Sequence, residues 1–64
     1  MSKTGVEVPL VGTDGNAFAI LGRVIREMKR AGVASQIIEL YKDEATASGY
    51  DNLLRVTMRY VDVV

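Results

Sequence analysis

Apolar residues recur with a helical period over most of the chain, in three stretches separated by glycine-containing breaks. The first stretch begins at residue 16 or 17 and ends at residue 31. It is followed by Gly32, in the position where a glycine commonly ends a helix. Its predicted buried stripe is Phe18, Leu21, Ile25 and Met28, with Ile20, Val24 and Ala31 beside it. Gly22 lies within the stretch, costs about 1 kcal/mol relative to Ala, and usually marks a close approach by another backbone or a ligand.

The second and third stretches predict two shorter helices. The second covers residues 35–46; its inward side is Ile37, Ile38, Tyr41 and Ala45, with Leu40 flanking, and its water-facing side is Glu39, Lys42, Asp43 and Glu44. The third opens at Ser48-Gly49-Tyr50-Asp51, which is typical of a capping box with Asp in place of the usual Glu. Its predicted buried stripe is Tyr50, Leu53, Leu54, Met58 and Val61.

The two ends of the chain have the composition of short strands. Residues 6–11 alternate and are rich in β-branched side chains, but Pro9 cannot donate to a ladder and restricts them to an edge strand. Residues 59–64 are β-branched as well, and they are able to pair with residues 6–11 within one subunit or between two. Residues 1–5 are polar and are expected to be frayed. The predicted fold is therefore mainly α: a compact three-helix domain over residues 1–64, with a short terminal β-ribbon compatible with it.

Length and composition favour self-association. A chain of 64 residues has room for one small core, which rarely supplies more than about 3–5 kcal/mol, yet 48% of its residues are apolar. No Cys is present to supply a disulfide, so we expect a homo-oligomer. The sequence shows neither a signal peptide nor an apolar run long enough for a membrane span, which predicts a cytoplasmic protein without a membrane partner.

The residue inventory argues against catalysis, cofactors and metals. Without Cys or His, the usual nucleophilic dyads and zinc ligand sets are missing. Asp43 and Glu44 are adjacent on a helix and do not face one another. Asp14 and Asn16 resemble the start of a calcium loop, but its distal Glu is absent. We expect no enzyme, no cofactor and no bound metal.

The turn before the first helix is the most distinctive local feature. Gly12, Thr13, Asp14, Gly15 and Asn16 lie between an extended segment and a helix start. Glycines leave backbone amides uncovered, and a helix N-terminus attracts anions, so this turn is a candidate phosphate site. An ordinary turn, capped by Thr13, Asp14 or Asn16, explains the same residues.

An arginine face on the first helix is the second candidate feature. Arg23, Arg26 and Arg30 share one side of the helix, and a guanidinium can bind two phosphate oxygens at once. The alternative is that they pair with Glu27 and with the acidic second helix. Tyr50 or Phe18 is a candidate for stacking on a base; for both, a place in the core is the alternative.

Nucleic-acid binding is disfavoured by charge. Three short helices are compatible with a helix-turn-helix, but the last helix offers only Arg55 and Arg59, with Asp51 at its reading end. The eight basic residues are balanced by eight acidic ones, so no general positive field exists.

The segment VGTDGNAFAILGR resembles a family of small uncharacterised proteins carried by bacteriophages and plasmids. The resemblance covers residues 11–23, 30–33, 44–46, 50–54 and 58–63, and departs at Ser48-Gly49-Tyr50-Asp51, where family members tend to have Ser-Gly-Asp-Tyr-Asp. It implies a phage accessory role in counter-defence. Such proteins block host enzymes by contact, or sequester nucleotide immune signals as oligomers.

Three functions therefore stand as expectations. The first is a non-enzymatic protein that captures a phosphate-containing small molecule, such as a nucleotide second messenger. The second is an inhibitor that binds a host defence protein through its apolar and acidic surface. The third is a small helix-turn-helix DNA-binding protein.

Overall fold

Three helices and a two-stranded parallel sheet make up the parts of the chain that the structure, a computed structural model, describes: residues 2–10 and 16–64. In chain order they are β1 (Glu7–Val8), α1 (Ala17–Arg30), α2 (Ser35–Ala45), α3 (Tyr50–Tyr60) and β2 (Asp62–Val63). This confirms the predicted three-helix domain with a short ribbon formed by the chain ends.

The ends of α1 follow from local chemistry. At its start, the Asn16 side-chain oxygen accepts from the Phe18 amide at 2.8 Å. At its end, Gly32 takes a positive φ of 83°, and the amide of Val33 reaches back to the Met28 carbonyl at 2.9 Å. This left-handed residue with its backward bond is how glycine closes a helix, so the predicted role of Gly32 is confirmed.

The start of α3 differs from the prediction. Gly49 precedes the helix in an extended conformation, and no side chain caps it. The capping box of Ser48 with Asp51 was therefore wrong, because the helix begins one residue later than the box requires.

The sheet joins the two chain ends within one subunit. β1 and β2 pair in parallel, with Glu7 opposite Asp62 and Val8 opposite Val63. Ahead of β1, the amides of Lys3 and Thr4 donate to the carbonyls of Arg59 and Tyr60 at 2.9 and 3.0 Å. The expectation that this segment is frayed was wrong for these residues, since their backbone is bonded to the end of α3.

The core lies where the three helices and β1 meet. On α1 and α3 some of its residues differ from those predicted. It consists of Val8, Ile20, Val24, Met28, Ile38, Tyr41, Ala45, Leu53, Val56, Tyr60 and Val61. On α1 the buried residues are Ile20, Val24 and Met28, while Phe18 is 82% exposed. On α3 the prediction was wrong for Tyr50 and Met58, which are exposed, and it missed Val56 and Tyr60. On α2 the predicted Ile38, Tyr41 and Ala45 are confirmed.

Within the described residues, no helix combines the length and the apolar character that crossing a bilayer requires.

Candidate ligand site

Four of the predicted site residues, Gly12, Thr13, Asp14 and Gly15, lie outside the described residues. The site is therefore built from Asn16 onward. Asn16 is the N-cap of α1: its backbone is extended, its side chain accepts from Phe18, and its carbonyl accepts from the Ile20 amide at 3.1 Å. No acidic side chain lies in the first turn of α1, so its positive dipole end is not neutralised from within the helix.

An apolar groove opens beside this helix start. It has a volume of about 270 Å³ and lies between the first turns of α1 and the corner that joins α2 to α3. Ala17, Phe18 and Leu21 line it from α1, and Tyr50 and Leu53 line it from α3. The corner between α2 and α3 closes the remaining side. The groove thus combines carbon-rich walls with a helix N-terminus at one end.

Phe18 and Tyr50 lie outside the core and meet at this groove. Their exposed fractions are 82% and 43%, so the alternative that they are core residues was wrong. An aromatic ring in water at the wall of an apolar groove offers a face to a planar ligand. The sequence proposed either ring for stacking, and the structure brings both to one groove.

The three arginines of α1 separate into different surroundings. Arg23 is half-buried, and its Nε is enclosed without a hydrogen-bond partner among the described residues. It lies two turns after Asn16 on the same side of α1, and the residues that line the apolar groove do not include it. Arg26 is exposed. Arg30 lies near the other end of α1, about 21 Å along the axis from Asn16 at 1.5 Å per residue.

Arg30 borders a second, larger groove. This groove has a volume of about 750 Å³ and lies between the N-terminal segment and the end of α1. Lys3 and Arg30 line it together with two carboxylates, Glu7 and Glu27. Positive and negative groups are balanced there, so the groove does not select an anion. Sequence reasoning missed it, because no local pattern indicates that residues 3–7 lie against the end of α1.

The ion pairs of the described residues do not involve the arginine face. Lys42 lies 3.9 Å from Glu39, and Arg59 lies 4.0 Å from Glu44. In the same residues, neither Glu27 nor an acidic group of α2 pairs with Arg23, Arg26 or Arg30. The predicted alternative of intramolecular pairing is therefore not realised in that part of the chain.

Tyr41 and Tyr60 are buried in the core and do not line the apolar groove. The Tyr60 hydroxyl donates to Glu44 Oε2 at 2.7 Å, and this bond, with burial, raises the pKa of Tyr60 above its usual 10.0. Burial raises the pKa of Tyr41 as well, and its hydrogen bond with Thr57 at 2.8 Å opposes that rise. Both rings stay neutral near pH 7 and bind α2 to α3.

The exposed side of α3 offers little to nucleic acid. Asp51 lies in its first turn. Arg59 forms an ion pair with Glu44, with 4.0 Å between Nη1 and Oε1. Arg55 is exposed. Nothing in this arrangement strengthens the helix-turn-helix interpretation.

Comparison of the chain with protein-family models, with curated proteins and with solved structures gave no match.

Proposed function

We propose that the protein binds, and releases unchanged, a small molecule that carries a planar ring and a phosphate group. The observation that carries this proposal is the apolar groove in which the exposed rings of Phe18 and Tyr50 lie next to the N-terminus of α1. Stacking of a base on an aromatic side chain contributes about 1–3 kcal/mol. The groove has a volume of about 270 Å³, which can accommodate one ring system.

The phosphate would lie at the start of α1. The amide groups of the first helical turn and the positive dipole end attract an anion there. Arg23 lies two turns after Asn16 on the same side of α1. Its enclosed Nε has no partner in the described residues, and a phosphate oxygen would supply an acceptor for this guanidinium. The contribution of Gly12 and Gly15 to phosphate binding remains a prediction from the sequence.

The resemblance to small bacteriophage and plasmid proteins gives this binding a biological setting. A protein that captures a nucleotide signal without altering it acts as a sponge, and in an infected cell it would lower the free concentration of a defence messenger. In this proposal the protein is a counter-defence factor of the host cytoplasm.

Thermal-shift measurements against cyclic dinucleotides, cyclic mononucleotides and ADP-ribose derivatives test the proposal. A ligand at 100 times its Kd adds about 2.7 kcal/mol, which raises the Tm of a domain this small by roughly ten degrees or more. The matching nucleosides, which lack phosphate, should give much smaller shifts. Chromatography of the released ligand should recover it intact.

Two variants, one at the groove and one at Arg23, and one control sharpen the measurement. Phe18→Ala should reduce the shift by removing the stacking face, and Arg23→Ala should reduce it by removing the phosphate partner. Arg55→Ala, an exposed arginine on α3 away from the groove, should keep the full shift. The proposal fails if no phosphate ligand shifts the Tm, or if the Phe18 and Arg23 variants respond as the parent does.

A further inference from the structure

Exposed charges of opposite sign lie on two neighbouring helices of this chain, whose net charge is zero. Arg26 and Lys29 are exposed on α1, and Glu39 and Asp43 are exposed on α2. Across the described residues, the only one of these four in an ion pair is Glu39, at 3.9 Å from Lys42 of its own helix. The two helices thus present complementary charges that the single chain leaves unmatched in the described part.

Each of these charged faces also contains an uncharged, exposed residue, which is Leu40 on α2 and Gly22 on α1. On α2, Leu40 is 51% exposed and lies in a shallow groove with Glu39 and Asp43. On α1, Gly22 is exposed, and a Cβ built on it would meet no atom within 4 Å. A glycine inside a helix costs about 1 kcal/mol relative to Ala, and no contact within the described chain explains it. An open glycine on a helix surface lets another backbone approach closely.

The two faces lie on one side of the molecule. Leu21 of α1 and Thr46, the C-cap residue of α2, line the same groove, so these sides of the helices adjoin. Ile25 follows Leu21 by one turn, and Glu39 precedes Thr46 by two turns, so both continue along the adjoining sides. A surface formed by α1 and α2 together therefore contains both charge signs.

We propose that this surface binds a second copy of the same chain. In a two-fold dimer, the basic face of α1 (Gly22, Ile25, Arg26, Lys29) meets the acidic face of α2 (Glu39, Leu40, Asp43) of the partner, and the symmetry makes this contact twice. Leu40 supplies the apolar contact, and the charges set orientation and exclude wrong partners. A small domain gains buried area in this way that it cannot obtain alone. None of the seven residues named for this contact lines the ligand groove.

Charge reversal distinguishes this dimer from any other association. Sedimentation velocity at low ionic strength should show the parent protein as a dimer. The variant Arg26→Glu with Lys29→Glu has two acidic faces, and Glu39→Lys with Asp43→Lys has two basic faces. Each variant alone should dimerise about tenfold more weakly or worse, because like charges then face each other at both contacts.

An equimolar mixture of the two variants should associate again, since each face of one variant then meets an opposite charge on the other. Raising the salt to about 0.5 M should weaken the parent dimer by screening. All four positions are exposed, so circular dichroism should show the parental helix content. Arg55→Glu, an exposed cation on α3, is the control and should leave the dimer unchanged.

Three outcomes would overturn the proposal: a parent that stays monomeric at several hundred micromolar, a dimer that ignores both reversals, or a mixture that does not associate. A cellular protein that binds this face of a monomeric parent would overturn it as well. The ligand measurements above do not depend on any of these results.

Discussion

The four aromatic side chains of the chain divide into two pairs with opposite surroundings. Tyr41 and Tyr60 are no more than 1% exposed, with ring centroids 5.5 Å apart in an edge-to-face contact, and each hydroxyl has a partner. Phe18 and Tyr50 are 82% and 43% exposed and line the groove at the start of α1. All four lie in helices with apolar neighbours. Their difference comes from helix phase, because a step of one residue turns a side chain by about 100°.

The largest expected effect is the loss of a core ring. Tyr41→Ala removes the contact with Tyr60 and the partner of the buried Thr57 hydroxyl. Large-to-small changes of this kind cost about 3–5 kcal/mol, which equals the stability a core of this size supplies. Urea and thermal unfolding followed by circular dichroism should find the variant largely unfolded at room temperature. A cooperative melt within a few degrees of the parent would mean that the tyrosine pair does not hold α2 to α3.

The phase of α1 shows how far the sequence alone leads. Its start, its end and the role of Gly32 depend on local chemistry and were predicted. The buried stripe was predicted through Phe18, Leu21, Ile25 and Met28, with Ile20 and Val24 beside it. Met28 is buried as predicted, but Ile20 and Val24 complete the stripe in place of the other three residues. Apolar residues cover most of this helix, so periodicity alone leaves the orientation open by one residue. Packing against α2, α3 and β1 decides it, and that information is not local.

The candidate site was predictable only in its parts. Asn16 was one of three residues named as a possible cap, and either ring was named for stacking. That the two rings meet depends on where the corner between α2 and α3 lies against α1. The arginine face looked continuous in the sequence, whereas in the structure Arg23 is half-buried and Arg30 lines another groove with Glu7 and Glu27. The attachment of Lys3 and Thr4 to the end of α3, which uses backbone amides and the Thr4 hydroxyl, was missed because it joins residues far apart in the sequence and no local pattern indicates that pairing.

An intermediate loss in the free energy of unfolding is expected when the Tyr60 hydroxyl is removed, or when the pH is raised into the alkaline range. The pKa of both buried tyrosines is raised, so the folded protein keeps them neutral while the unfolded chain ionises near 10. The contribution of the two neutral tyrosines to the free energy of unfolding is complete below pH 10, and it is lost as the pH rises through their folded-state pKa. Tyr60→Phe should cost about 0.5–1.5 kcal/mol at pH 7, the net value of a typical hydrogen bond.

The same variant should also reduce the alkaline loss of stability. The measurement is the Tm between pH 8 and the alkaline end of the stable range for the parent, Tyr60→Phe and Tyr50→Phe. Tyr50→Phe removes a hydroxyl from an exposed ring and is the matched control, with a pH profile like that of the parent. If Tyr50→Phe and Tyr60→Phe change the profile equally, the distinction between the two pairs of rings is lost.

The smallest expected effect on stability belongs to Phe18, although this substitution also removes a whole aromatic ring. Because the ring is 82% exposed, Phe18→Ala gives up little buried area. Alanine is a better helix former by roughly half a kcal/mol, which offsets part of that loss. We therefore expect the free energy of unfolding to stay within about 0.5 kcal/mol of the parent, while the ligand-induced shift of Tm falls. Urea titration below the dimerisation range measures the first quantity, and thermal shift measures the second. A loss above about 1 kcal/mol, far outside what an exposed site permits, would show that Phe18 is buried in solution and belongs with Tyr41 and Tyr60.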